Sequence, residues 1–114
     1  MDNTIILHGD IIPEGFDSLL KKEKIKTIII GHEHPAISLK DGPRVEHYKC
    51  FLKGSWKKYD LIAMPSFSPI VEGTDILKED LLSPFLNQDL NDFNIYIVGD
   101  KVYDFGKLKD IKAA

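Results

Sequence analysis

Apolar runs of four or five residues, each closed by a glycine, a proline or a charged turn, recur along the chain and predict short strands more often than helices. Thr4-Ile5-Ile6-Leu7 is the first run, stopped by His8-Gly9-Asp10, and Thr27-Ile28-Ile29-Ile30 is the second, stopped by Gly31. Between them Pro13-Glu14-Gly15 predicts a turn, and Asp17 an N-cap for a helix over residues 18 to about 24. That helix is expected to turn Leu19, Leu20 and Phe16 inward and to leave Lys21, Lys22 and Lys24 in water. Strand, helix and strand over residues 4–30 make a βαβ unit. Such a unit is right-handed, pairs its strands in parallel and brings both C-terminal ends to one edge.

Beyond Pro35 the pattern changes to alternation. Residues 36–39 predict a short strand, Lys40-Asp41-Gly42-Pro43 a turn, and residues 44–52 a longer strand. Asp-Gly between two such runs signals a hairpin, with Pro43 expected to lengthen its loop beyond two residues. On the longer strand Val45, His47, Lys49 and Phe51 share one face, and Glu46, Tyr48, Cys50 and Leu52 the other. Residues 54–58 predict a connecting loop, with Trp56 either covering the core edge or exposed. Residues 60–64 predict a buried strand, and residues 66–75 a loop rich in Pro, Ser and Gly. One or two helical turns broken by Pro84 are expected in residues 75–86. A strand follows over residues 93–98, and Gly99-Asp100 turns it into a terminal hairpin over 101–105. The tail from residue 107 reads as polar and frayed. The expected fold class is α/β, one βαβ unit followed by a mainly antiparallel β region with hairpins, in a single domain over residues 1–114.

Composition narrows the class of function. Of the 114 residues 43% are hydrophobic and 29% charged, which fits a globular chain with a real core. The net charge of −3 gives no bulk attraction to nucleic acid or to a membrane. The basic clusters Lys21-Lys22-Glu23-Lys24 and Lys57-Lys58 are short and read as solvated faces or turns. Cys50 is the only cysteine, so no intrachain disulfide forms and a reducing compartment is expected. It reads as a buried structural thiol. No apolar run approaches the ~18 residues of a membrane-spanning helix. Met1-Asp2-Asn3-Thr4 lacks the basic start of a signal peptide, so the expected location is cytoplasmic.

The candidate chemistry sits where the first two strands stop. His8 follows the first strand, and His32 and His34 follow the second in Gly31-His32-Glu33-His34-Pro35. Neutral imidazole is the commonest side-chain ligand for transition metals, and the end of a strand is a rigid mount for it. In an extended segment residues two apart point the same way, so His32 and His34 are expected to address one point. Parallel pairing of the two strands brings His8 to the same edge. Glycine beside each site keeps the backbone compact and the space near the imidazoles open.

Taken together, Leu7-His8-Gly9, Gly31-His32-Glu33-His34-Pro35, Lys49-Cys50-Phe51-Leu52, Met64-Pro65-Ser66-Phe67 and Gly73-Thr74-Asp75 resemble the C-terminal half of a calcineurin-like metallophosphoesterase. The likeness is to an archaeal and bacterial subgroup that includes DNA-ligase-associated phosphoesterases, and it runs over residues 4–108. It implies a partial phosphoesterase sandwich, with the N-terminal half of that fold absent from this chain. In the family the lone histidine and the first histidine of Gly-His-x-His bind one metal and the last binds its neighbour. That assigns His8 and His32 to one divalent ion and His34 to the other, with Mn, Zn or Fe as the implied metals. The family's Asp-x-His, Gly-Asp and Gly-Asn-His-Asp/Glu blocks, which supply the remaining ligands, have no match here. Asp10 follows the lone histidine rather than opening the fold, and is not mapped onto the bridging aspartate. A piece of a longer protein, a short reading frame and a stand-alone half-domain all fit this pattern.

The function implied is hydrolysis of a phosphomonoester or phosphodiester through a dinuclear metal centre, with nucleic acid among the candidate substrates. The chain alone is expected to be incomplete and inactive, with no catalytic residue assigned. As a half-fold it is expected to self-associate or to join its missing half, because it would expose an apolar sheet face or edge. The alternative is a non-catalytic, self-associating or partner-docking domain. Other polar residues have plainer readings. Glu33 is read as structural or as a rim residue, and His47 as a core or surface histidine. Ser66, Ser68 and Asp75 line a loop that either borders a substrate pocket or is a tight structural turn, and Tyr48, Tyr96, Tyr103 and the phenylalanines are read as core aromatics.

Overall fold

The computed structural model describes residues 3–66, 68, 73–77, 81 and 83–113. Its elements in chain order are β1 (Thr4–Leu7), α1 (Phe16–Lys22), β2 (Thr27–Ile30), β3 (Pro35–Asp41) and β4 (Arg44–Trp56). There follow β5 (Tyr59–Ala63), β6 (Thr74–Asp75), a 3-10 turn (Pro84–Leu86), β7 (Asn94–Val98), β8 (Val102–Lys107) and α2 (Leu108–Ala113). The protein is a mixed α/β domain, mostly strands in a mixed sheet with few helices.

The two isoleucine-rich runs pair in parallel, with Ile5 opposite Ile28 and Leu7 opposite Ile30. Three successive β-branched residues suit β2 because it lies between two strands, β1 and the parallel β5. The connecting helix begins earlier than expected. Gly15, at φ 72°, is its N-cap, and no side chain caps it. Asp17 therefore sits in the first turn, where it meets Lys57 at 3.1 Å. The earlier start also rotates the buried stripe onto Phe16 and Leu20, while Leu19 is left exposed.

The hairpin of β3 and β4 corrects the expected loop. Asp41 pairs with Arg44, so Gly42-Pro43 is a two-residue connection, with Gly42 supplying φ 62°. β4 also runs through residues 54–56, which the sequence marks as loop. A Cβ at Gly54 would lie 2.6 Å from the ring of Phe93, so glycine here lets an aromatic ring lie flat on the strand. The turn falls instead at Lys57-Lys58, and Trp56 is buried against Tyr59, Phe85 and Phe16.

The strand order β1-β2-β5-β4-β7-β8 forms one sheet, with β3 and β6 continuing from the first half of β4. On one face Ile28, Ile30, Leu52, Leu61, Ile95 and Ile97 join Phe16, Leu20, Phe85 and Leu86 in the core. The tail is not frayed over 108–113. Leu108 is buried, and the amides of Leu108 and Lys109 donate to the carbonyls of Phe93 and Asn91. Pro84 starts a 3-10 turn rather than breaking a helix, since proline suits a first helical position, and the Ser83 hydroxyl caps it. Of the helical turns expected within residues 75–86, residues 78–80 and 82 lie outside the described residues, as does half of the 66–75 loop including Phe67. Tyr103 and Phe105 are exposed rather than core aromatics. No helix among the described residues is long and apolar enough to cross a membrane.

Candidate functional site

Parallel pairing of β1 and β2 delivers the two backbones after Leu7 and Ile30 side by side, and the chain then tightens the junction. The amides of Gly31 and His32 both donate to the carbonyl of His8, at 3.1 and 2.6 Å. Gly9 turns away at φ 93°, and a Cβ there would stand 2.7 Å from that of Ile30. The result is a pair of imidazoles: His32 Nδ1 lies 3.1 Å from His8 Nε2, with ring centroids 4.8 Å apart and planes at 67°. His8 is exposed and His32 half-buried. Two nitrogens bonded to one cation at about 2.0–2.1 Å stand roughly 2.8–3.4 Å apart in octahedral or tetrahedral shells. As they stand the two rings share a hydrogen bond, one N–H donating to the other's lone pair, at a spacing that two nitrogens on one ion would also take.

His34 does not join them. Residues 31–34 form a turn rather than an extended segment, with the His34 amide donating to the Gly31 carbonyl at 3.2 Å and His34 itself at φ 50°. The alternation that would align His32 with His34 is lost, because side chains alternate only in a strand. Among the described residues no group of three or more His, Cys, Asp or Glu side chains is placed to hold one ion. The Nδ1 of His34 is nevertheless buried without a hydrogen-bond partner. A buried orphan nitrogen costs about 1–3 kcal/mol, and among the described residues no other buried side-chain nitrogen or oxygen lacks a partner.

Glu33, between the two histidines, is 3% exposed. Its carboxylate accepts from Thr74 Oγ1 at 2.9 Å and from the Ser83 amide at 2.8 Å. Ser83 Oγ in turn donates to the Gly9 carbonyl at 2.7 Å. Gly73-Thr74 is drawn into the same corner: the Thr74 amide donates to the His34 carbonyl at 3.0 Å. Gly73, at φ 87°, is where a Cβ would collide with that carbonyl oxygen. Three separated blocks of sequence therefore meet behind the imidazole pair. The place of Ser83 was not legible, because a serine before Pro84 signals only a local cap.

A second polar cluster was also missed. Ser38 on β3, His47 on β4 and Asp75 on β6 meet across three strands, with Ser38 Oγ 2.6 Å from His47 Nδ1 and donating to Asp75 Oδ2. A nucleophilic triad places the imidazole between carboxylate and hydroxyl. Here the hydroxyl stands between the other two and its proton goes to the carboxylate, so the cluster ties strands together. Asp75 also accepts from the Leu77 amide two residues on, and Ser66 Oγ accepts from the Ser68 amide. Cys50 is fully buried, and burial, with the charge of Asp75 adding to it, pushes its thiol up to about 12. A concavity of about 730 Å³ lies between β3, β8 and α2 around Leu39, Val45, Phe105 and Ile111, away from the histidines.

Compared with known proteins, the chain matches no family model, and no curated protein or solved structure is detectably similar to it.

Proposed function

We propose that this chain carries part of the metal site of a calcineurin-like phosphoesterase, and that its sheet is one half of that family's two-sheet sandwich. The observation that carries the reading is the 3.1 Å approach of His8 Nε2 and His32 Nδ1 at the ends of parallel neighbouring strands. The buried, unpartnered Nδ1 of His34 adds support, because it is a donor position that a neighbouring cation would satisfy. In this reading His8 and His32 hold one divalent ion and His34 contributes to a second. Such ions, when bound, offset the charge of a phosphate ester and make water acidic enough to attack near neutral pH. The chain's own residues orient the imidazoles, hold them at a rigid strand edge and leave His8 open to solvent for a substrate.

Titration with Mn²⁺ or Zn²⁺ in a calorimeter tests the reading. The wild-type chain should bind, and His32→Ala should lose at least tenfold in affinity. Equal binding by both overturns the assignment. Any Mn²⁺-dependent hydrolysis of bis-p-nitrophenyl phosphate should likewise vanish in His32→Ala, and stripping the metal with a chelator should abolish it in the wild type.

The second reading, a non-catalytic domain that self-associates, is favoured by a different observation. The sheet face opposite the core carries Ile29, Phe51, Ile62, Met64 and Tyr96 around a groove of about 500 Å³, with Ile6 and Val102 both more than half exposed. A metal-free chain that dimerises would support this reading over the first.

A further inference from the structure

We propose that Glu33 and Ser83 form a positioning clamp that sets the geometry of the His8–His32 pair. The inference rests on the reading of that pair as metal ligands. Its basis is a juxtaposition: Ser83 bonds through its hydroxyl to the residue after His8 and through its amide to the residue after His32. The contacts are Ser83 Oγ to the Gly9 carbonyl at 2.7 Å and the Ser83 amide to Glu33 Oε1 at 2.8 Å. One residue thus spans the two loops that carry the imidazoles.

The clamp is mounted on the core. Ser83 is fully buried, and the turn it opens buries Phe85 and Leu86, with the Phe85 ring against Phe16 and Trp56. The other carboxylate oxygen of Glu33 is held by Thr74 Oγ1 at 2.9 Å, and the Thr74 amide holds the His34 carbonyl. A carboxylate buried to 3% exposure is costly unless it is hydrogen-bonded. Apolar residues of similar volume commonly stabilise as well as a buried charge does. What the polar version adds is direction. Ligand sites need their side chains held within about 0.5 Å, and where a partner bonds the metal-bound ring itself its loss typically costs 10–100-fold in affinity, the upper range for a contact that acts through the loop. The contacts that Glu33 and Ser83 make here run to the loop backbone and to Thr74 rather than to the ring nitrogens of His8 and His32. They act through the loops.

The test compares wild type, Ser83→Ala, Ser83→Thr and Glu33→Gln by two readouts. Co²⁺ titration followed by its visible absorption reports affinity and ligand geometry. Imidazole ¹⁵N shifts of the metal-free proteins at one fixed pH report the His8–His32 contact itself. Expected is a Co²⁺ affinity weaker by up to roughly 100-fold and an altered spectrum in Ser83→Ala, with recovery in Ser83→Thr. Glu33→Gln, which keeps the shape but loses one acceptor, should fall between. The ring shifts of His8 and His32 should move in Ser83→Ala while far-ultraviolet circular dichroism stays the same. Co²⁺ affinity within twofold of wild type together with unmoved ring shifts overturns the clamp. Wild type that binds no Co²⁺, but whose ring shifts still depend on Ser83, overturns the metal reading and leaves the positioning role standing. If Ser83→Ala fails to fold, the same two readouts on Glu33→Gln decide.

Discussion

Gly73 and Cys50 show how single residues divide between site and core. Gly73 has φ 87° and no room for a Cβ beside the His34 carbonyl. Gly73→Ala should therefore cost ~2 kcal/mol or more, read as a lower urea midpoint, and should loosen the turn that carries His34. Cys50 contributes in the opposite sense, by staying neutral. Its thiol is raised from 9.0 to about 12 on folding, chiefly by burial and then by Asp75. A raised folded pKa means that the native state keeps a proton the unfolded chain has lost. The stability is intact below pH 9 and falls between pH 9 and 12, by about 1.4 kcal/mol for each pH unit. Cys50→Ala should flatten that alkaline loss in denaturation curves measured at pH 8 and 10. A thiol reagent at pH 8 should react with the wild-type protein only after unfolding. The buried cysteine and the strand-end position of His8 and His32 were legible from neighbouring residues. The separation of His34 was not, because a left-handed non-glycine residue leaves no compositional trace.

At the scale of elements, local periodicity located the strands, while exact ends and loop lengths (the start of α1 at Gly15, the two-residue loop Gly42-Pro43) and contacts far along the chain escaped it. β1, α1 and β2 follow from apolar runs and turn formers, and the helical crossover between the two strands implies their parallel pairing. The extension of β4 past Gly54 depends on Phe93, and the ordering of α2 depends on carbonyls of Asn91 and Phe93. Neither could be read from its own segment. α2 offers a direct check. Its six residues are too few to be stable alone, so its order must come from docking. Leu108→Ala should cost about 2–4 kcal/mol and remove hydrogen-exchange protection from the amides of Leu108 and Lys109. A change under ~1 kcal/mol would mean that the helix merely rests on the surface. The pairing of Ser38 with His47 belongs to the same scale, since it follows once the loop is known to be Gly42-Pro43.

The whole molecule is less compact than its size requires. Its radius of gyration is 14.6 Å, against about 13 Å for a globular domain of this length. Its accessible surface is 7353 Å², where roughly 6,300 Å² is expected for a compact monomer of 12.9 kDa. The excess, on the order of 1,000 Å², is comparable with the ~800 Å² that each partner buries in a standard interface. Register explains where an apolar part of it lies. Ile6 is opposite Ile29, and Ile29 opposite Ile62, so three isoleucines form one row across β1, β2 and β5 on the face away from the core. Among the described residues β1 is also an edge strand, with no other strand on its outer side in the sheet order. A second copy, laid face to face on this row, would cover it as the two halves of a sandwich cover each other. Sedimentation of the chain at micromolar concentration should then show a dimer. The pair Ile6→Lys and Val102→Lys, both at exposed positions, should shift it to monomer with the thermal midpoint held within a few degrees. A wild-type chain that is monomeric at a hundred micromolar would reject self-association. Dimerisation unaffected by both substitutions would place the contact on another surface.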